Sequence, residues 1–120
     1  MDPLSREYWT RSVNAALIRF VVLREVCARP GHAYALIRRV AAVTRNVFLP
    51  AEATIYPALA ELERCGCVRA DIEIVACRER KVYAATATGR EACRLGREAW
   101  RKGFDAALGP RHVRTAGRPR

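Results

Sequence analysis

The chain has 120 residues, with 22 Lys+Arg against 12 Asp+Glu and a formal net charge of +10. That length suits one domain, or one small domain with an arm, and a hydrophobic fraction of 51% excludes wholesale disorder. The longest apolar region, Val13 to Val26, is broken by Asn14, Arg19, Arg24 and Glu25, which excludes a membrane span; with no leader-like stretch at the start, a cytoplasmic protein is expected.

The first predicted helix runs from Leu4 to Ala28, with Trp9, Val13, Ala16, Leu17, Phe20, Leu23 and Cys27 recurring at helical spacing. Pro30-Gly31 ends it. A shorter helix follows from about Ala33 to Thr44, with Leu36, Ile37, Val40 and Val43 inward and Arg38, Arg39 and Arg45 outward. Phe48 and Leu49, in the connector after it, are expected to tuck into the core.

The third helix is predicted from about Glu52 to Cys65. Ile55, Ala58, Leu59, Leu62 and Cys65 share one face, while Ala53, Tyr56, Pro57, Ala60 and Arg64 share the other. Pro57 is tolerated if Thr54 is the N-cap, because it then sits in the first turn, where its missing N–H has no intrahelical partner. Gly66 stops the helix.

Here the hydrophobic period changes from helical to alternating. Val68, Ala70, Ile72 and Ile74 alternate with Arg69, Asp71 and Glu73, the pattern of a half-buried strand. A second strand is expected at about Lys81 to Ala85, with Ala76 to Arg80 as a charged tip. Thr86 or Thr88 then caps a fourth helix reaching about Leu108. Its apolar half-turn has a small centre of Ala92, Gly96, Gly103 and Ala107, flanked by Leu95, Ala99, Trp100 and Phe104, which suits close approach of two backbones. Residues 109–120 read as a basic, disordered tail.

The fold class is therefore mainly α with a small β-hairpin (α+β). The order of elements is that of a winged helix-turn-helix followed by a long C-terminal helix. Residues 1–86 are expected to form the winged helix-turn-helix unit with the N-terminal helix, 87–108 the long C-terminal helix and 109–120 the tail.

Twenty of the cationic residues are Arg, whose planar fork matches phosphate and guanine, and the charge excess fits a polyanionic partner. A helix in a major groove buries one stripe and offers the other to bases and phosphates. The outward stripe of the third helix, with Tyr56 between Thr54 and Arg64, is the candidate reading surface. Arg78, Arg80 and Lys81 on the hairpin are candidate phosphate or minor-groove contacts.

Five cysteines, Cys27, Cys65, Cys67, Cys77 and Cys93, are an odd number without zinc-ligand spacing, and read as free structural thiols. His32 reads as a turn or helix-start residue. No metal, cofactor or catalytic set emerges, so an enzyme is not expected. Three rivals remain open: a thiol or metal sensor using Cys65, Cys67 and Cys77 on the same scaffold, a winged-helix protein-interaction adaptor, and a non-specific architectural DNA-binding protein.

Thr54-Ile55-Tyr56-Pro57-Ala58-Leu59, with Leu62-Glu63 and Gly66, resembles the recognition-helix run of the PadR family of transcriptional regulators. Pro30 to Ile37 and Arg80-Lys81-Val82-Tyr83 with Thr86 to Glu91 resemble two further segments of that family. The resemblance implies a homodimeric winged-helix repressor that binds double-stranded DNA at an inverted-repeat operator, with the first and last helices forming the interface. It places Tyr34, Thr54 and Tyr56 on DNA-proximal helices and Arg78, Arg80 and Lys81 on the wing; Arg38, outward on the second helix, is a further candidate DNA contact. It also implies a dimer surface of Trp9, Leu95, Ala99, Trp100 and Phe104, with Trp100 as a platform for a small-molecule effector. Ala33 and Ala35, where the family has Gly and an acidic residue, and Ala76-Cys77 in the wing depart from its pattern.

Overall fold

The structure, a computed structural model, describes residues 2–47 and 52–109. Four helices and one hairpin follow in the order α1 (Arg6–Ala28), α2 (Ala33–Val43), α3 (Glu52–Arg64), β1 (Val68–Val75), β2 (Arg78–Ala85) and α4 (Ala87–Leu108). The expected places of Phe48 and Leu49, and of the tail from 110 onward, lie outside the described residues.

Helix α1 starts where the Ser5 hydroxyl accepts the Tyr8 N–H and ends with the Arg29 N–H on the Glu25 carbonyl. Its buried face differs from the predicted one. Ile18, Val21, Val22, Glu25 and Val26 join Leu23 inside, whereas Trp9, Val13 and Ala16 are exposed. The predicted stripe is real but turns toward α4, where Phe20 packs against Gly96. Helix α1 is thus apolar on two faces, and simple periodicity finds only one.

Helices α2 and α3 contribute Leu36, Val40, Ile55, Leu59 and Leu62 to the same core. Val43 and Cys65, expected inward, are exposed. Arg39, expected outward, instead lies over α1: its Nε is 3.6 Å from Glu25 Oε1, and its guanidinium donates to the carbonyls of Glu25 and Arg29. Glu25 is the buried charged residue among those described, and Arg39 pairs it.

Helix α3 already runs from Glu52, so Thr54 lies in its first turn and is not the N-cap. Pro57 is one turn further in, where Ala53 loses its helical donor. The other end closes as expected. Gly66, at φ +78°, donates to Glu63 while Cys67 donates to Leu62, the paired bonds of a Schellman stop.

The hairpin is antiparallel, with Val75 opposite Arg78, so Ala76 and Cys77 alone form the turn, both at positive φ. Arg78, Glu79 and Arg80 therefore belong to β2 and not to a loop. Only the base of the hairpin is buried. Ile72 and Ile74 are 58% and 72% exposed, against the half-buried strand their alternation implied, because the hairpin extends past the helices. Gly31 adds a short third rung, exchanging two backbone hydrogen bonds with Tyr83.

Thr86 caps α4: its hydroxyl accepts the Gly89 N–H and donates to the Cys67 carbonyl. Cys93 is buried and Ala92 and Gly96 are half-buried, but beyond Trp100 the helix leaves the body of the chain.

Candidate nucleic-acid interface

The start of α2, the outward side of α3 and the wing converge on one open groove of about 380 Å³, lined by His32, Ala33, Tyr34, Tyr56, Glu79, Arg80, Lys81 and Tyr83. Four residues expected to contact DNA thus meet here: Tyr34, Tyr56, Arg80 and Lys81. Tyr34 and Tyr56 are 62% and 48% exposed, so their rings stand available on the surface. The whole outward stripe of α3, from Ala53 through Tyr56, Pro57 and Ala60 to Arg64, is solvent-facing, as an inserted helix requires.

The other candidates stand apart from the groove. Arg38 lies 5.9 Å over the Tyr34 ring, a cation–π pair that holds both side chains on the outer face of α2. Thr54 is half-buried in the first turn of α3, and Arg64 is exposed at its far end. Arg78 sits at the start of β2 beside the turn.

Three further polar residues line the groove that were not among the expected contacts. Tyr83 closes the floor: burial pushes its phenol above the ordinary range, with Glu63 and then Tyr56 adding to the effect. Glu79 adds a carboxylate beside two cations. His32 does cap α2, its Nδ1 accepting the Ala35 N–H at 3.3 Å, but its Nε2 also lies 3.2 Å from Arg80 Nη1. Its place immediately before the predicted helix signalled the cap; nothing local signalled the wing.

A second surface lies on α1 and α4. Leu95 and Phe104 are 51% and 39% exposed and Trp9 is 56% exposed; Ala99 faces solvent as well. Trp100 leans on Phe104, with ring centroids 5.3 Å apart, and lines a groove of about 270 Å³ with Phe20, Leu62 and Gly96. A Cβ at Gly96 would lie 2.9 Å from the Phe20 ring, whereas one at Gly103 would meet nothing within 4 Å.

The thiols do not gather as the sensor reading required. Cys77 is at the turn of the wing, Cys65 is exposed after α3, and Cys67 is buried at the hairpin base. The neighbouring set is Cys27, Cys93 and Cys67. Burial, then the nearby Cys93 thiol, pushes Cys27 up to about 11, and burial followed by Cys65 raises Cys67. High thiol pKa values work against thiolate chemistry. Among the described residues, no group of three or more His, Cys, Asp or Glu side chains is placed to hold a metal ion.

Residues 22–95 match the model of the PadR-like family of transcriptional regulators. A PadR family transcriptional regulator from Eggerthella lenta is similar in structure at 21% identity and a TM-score of 0.76, over 84% of this chain and 87% of that one. A transcriptional regulator from Clostridium thermocellum superposes at 18% identity and a TM-score of 0.75, over 81% and 95%. A PadR family regulator from Clostridium difficile does so at 20% identity and 0.64, over 78% and 99%. At these identities the likeness is one of fold. None of the curated proteins matches the chain.

Proposed function

Because the chain belongs to the PadR-like family of transcriptional regulators, and not to a class of enzymes, we propose that it is a homodimeric repressor binding an inverted-repeat operator near a promoter. The observation that carries this reading is the shared groove. Tyr56 from the helix, Tyr34 from its neighbour, and Arg80 and Lys81 from the wing line one concavity on a chain of net charge +10. Aromatic rings offer stacking and hydroxyl donors, and the cations offer phosphate contacts.

A single groove reads a few base pairs, and a two-fold pair reads two half-sites about 34 Å or a multiple apart. The exposed Leu95, Ala99 and Phe104 of α4 and Trp9 of α1 are the surface proposed to pair. Pairing would close the groove beside Trp100, where a planar effector has an aromatic wall to lie on. Action at a promoter would put the protein in the cytoplasm. Among the described residues, no helix is long and apolar enough to cross a membrane.

Nuclease footprinting on the region upstream of the protein's own gene tests the proposal. Protection of an inverted repeat is expected, with affinity falling steeply as salt rises, because each phosphate contact adds about 0.9 to the slope of log K against log salt. Charge reversal at both Arg64 and Arg80 should abolish protection. An unprotected region with salt-independent binding would overturn the proposal, and intact partner binding by that double variant would favour the adaptor reading instead.

A further inference from the structure

His32 Nδ1 accepts the Ala35 backbone N–H at the start of α2. A neutral imidazole has one donor and one acceptor nitrogen, so with Nδ1 accepting, Nε2 carries the proton and donates. Yet Nε2 faces Arg80 Nη1 at 3.2 Å, and a guanidinium has only donors. Two donors therefore confront each other with no acceptor between them. The other side of the guanidinium is directed toward Glu73, with Nη2 3.9 Å from Oε1, which keeps Arg80 at the groove. Lys81, Tyr34 and Tyr56 present further donors in the same concavity, against the single carboxylate of Glu79.

From this juxtaposition we infer that His32 and Arg80 together form a site for one phosphate oxygen of the DNA backbone, with His32 a direct DNA contact and not merely a helix cap. The inference rests on the DNA-binding reading of the groove. An anionic oxygen accepts from both Nε2–H and Nη1–H, turning the opposed donors into a clamp that ties the wing to the start of α2. The phosphate so held lies between the wing and the recognition unit and fixes how deeply α3 enters the groove.

The test uses the full chain and a duplex selected by the wild-type protein from a random pool. His32→Asn keeps an oxygen to cap α2 but removes the nitrogen at the Nε2 position. It should weaken binding about tenfold, the loss of one hydrogen bond to a charged group, with an unchanged melting temperature and salt slope. Arg80→Gln should weaken binding and lower the slope by about 0.9. The two losses should not multiply, because both side chains serve one oxygen.

Ethylation interference gives the specific readout. One phosphate per half-site should block the wild type when ethylated and become indifferent in both variants. Wild-type-like binding by the Asn variant, or interference at different phosphates for the two variants, overturns the inference while leaving the operator reading intact. Failure of the wild type to select any duplex removes both.

Discussion

Gly89, in the first turn of α4, lies directly on the backbone of Cys67 at the hairpin base: a Cβ there would overlap the Cys67 carbonyl oxygen and stand 2.9 Å from its carbon. The same carbonyl accepts from the Thr86 hydroxyl and backbone N–H. This contact sets how α4 leaves the winged domain, and backbone cannot yield as a flexible side chain would. Gly89→Ala should therefore cost about 2 kcal/mol or more and lower the melting temperature by roughly 10 °C, read by thermal denaturation. A melting temperature equal to that of the wild type would show that α4 is free to shift.

Arg39 and Glu25 make a second decisive pair, with side chains 14% and 9% exposed. Arg39→Met leaves the buried Glu25 carboxylate only the more exposed Arg24, whose Nη1 is 3.9 Å from Oε2, and should cost about 2 kcal/mol by urea denaturation. Adding Glu25→Gln should restore part of that loss, because a neutral amide is cheaper to bury than a charge that has lost its closer partner. Additive losses in the double variant would mean that the two side chains act independently.

Thiol reactivity should divide sharply. Cys65 and Cys77 are exposed, while Cys67 and Cys93 are buried and Cys27 is half-buried. A disulfide reagent near pH 8 should titrate two thiols quickly and the remaining three only on unfolding. Rapid reaction of all five would revive the sensor reading.

The pH dependence of stability follows from the same packing. Below the ordinary thiol value near 9, Cys27 is protonated in the folded and unfolded chains alike, and its contribution stands in full. Between about 9 and 11 the unfolded chain loses this proton and the folded chain keeps it, so stability falls as pH rises. Tyr83, also raised, adds to the alkaline loss above its ordinary value near 10. The urea midpoint should decline across this window; a midpoint flat to pH 11 would contradict the burial of both groups.

The exposed stripe of α4 has its own test. Phe104→Glu places a charge against Trp100 and one turn from Leu108, and should convert the proposed dimer into monomers while the chain stays folded, read by sedimentation and circular dichroism. Operator affinity should drop with it, since two half-sites are then read separately. Dimers unaffected by the charge would move the interface elsewhere.

Much of the fold was legible in the residues because it rests on local rules. The helical stripe of Ile55, Ala58, Leu59 and Leu62, the stop at Gly66 and the outward Tyr56 each follow from spacing or from one backbone requirement. The alternation in β1 was equally legible as a strand, but alternation says which residues share a face and not whether anything covers it. Ile72 and Ile74 stay exposed for that reason.

By itself, the order of residues determined that three helices, a hairpin and a long amphipathic helix form, and which stripe of α3 turns outward, because these depend on neighbours within a few positions. Only the tertiary structure decided that Arg39 turns inward onto Glu25, that α1 is buried on a second face, and that His32 meets Arg80 from 48 positions away. Those outcomes depend on which surfaces arrive opposite one another after the chain has closed, and no periodicity along a single element carries that information.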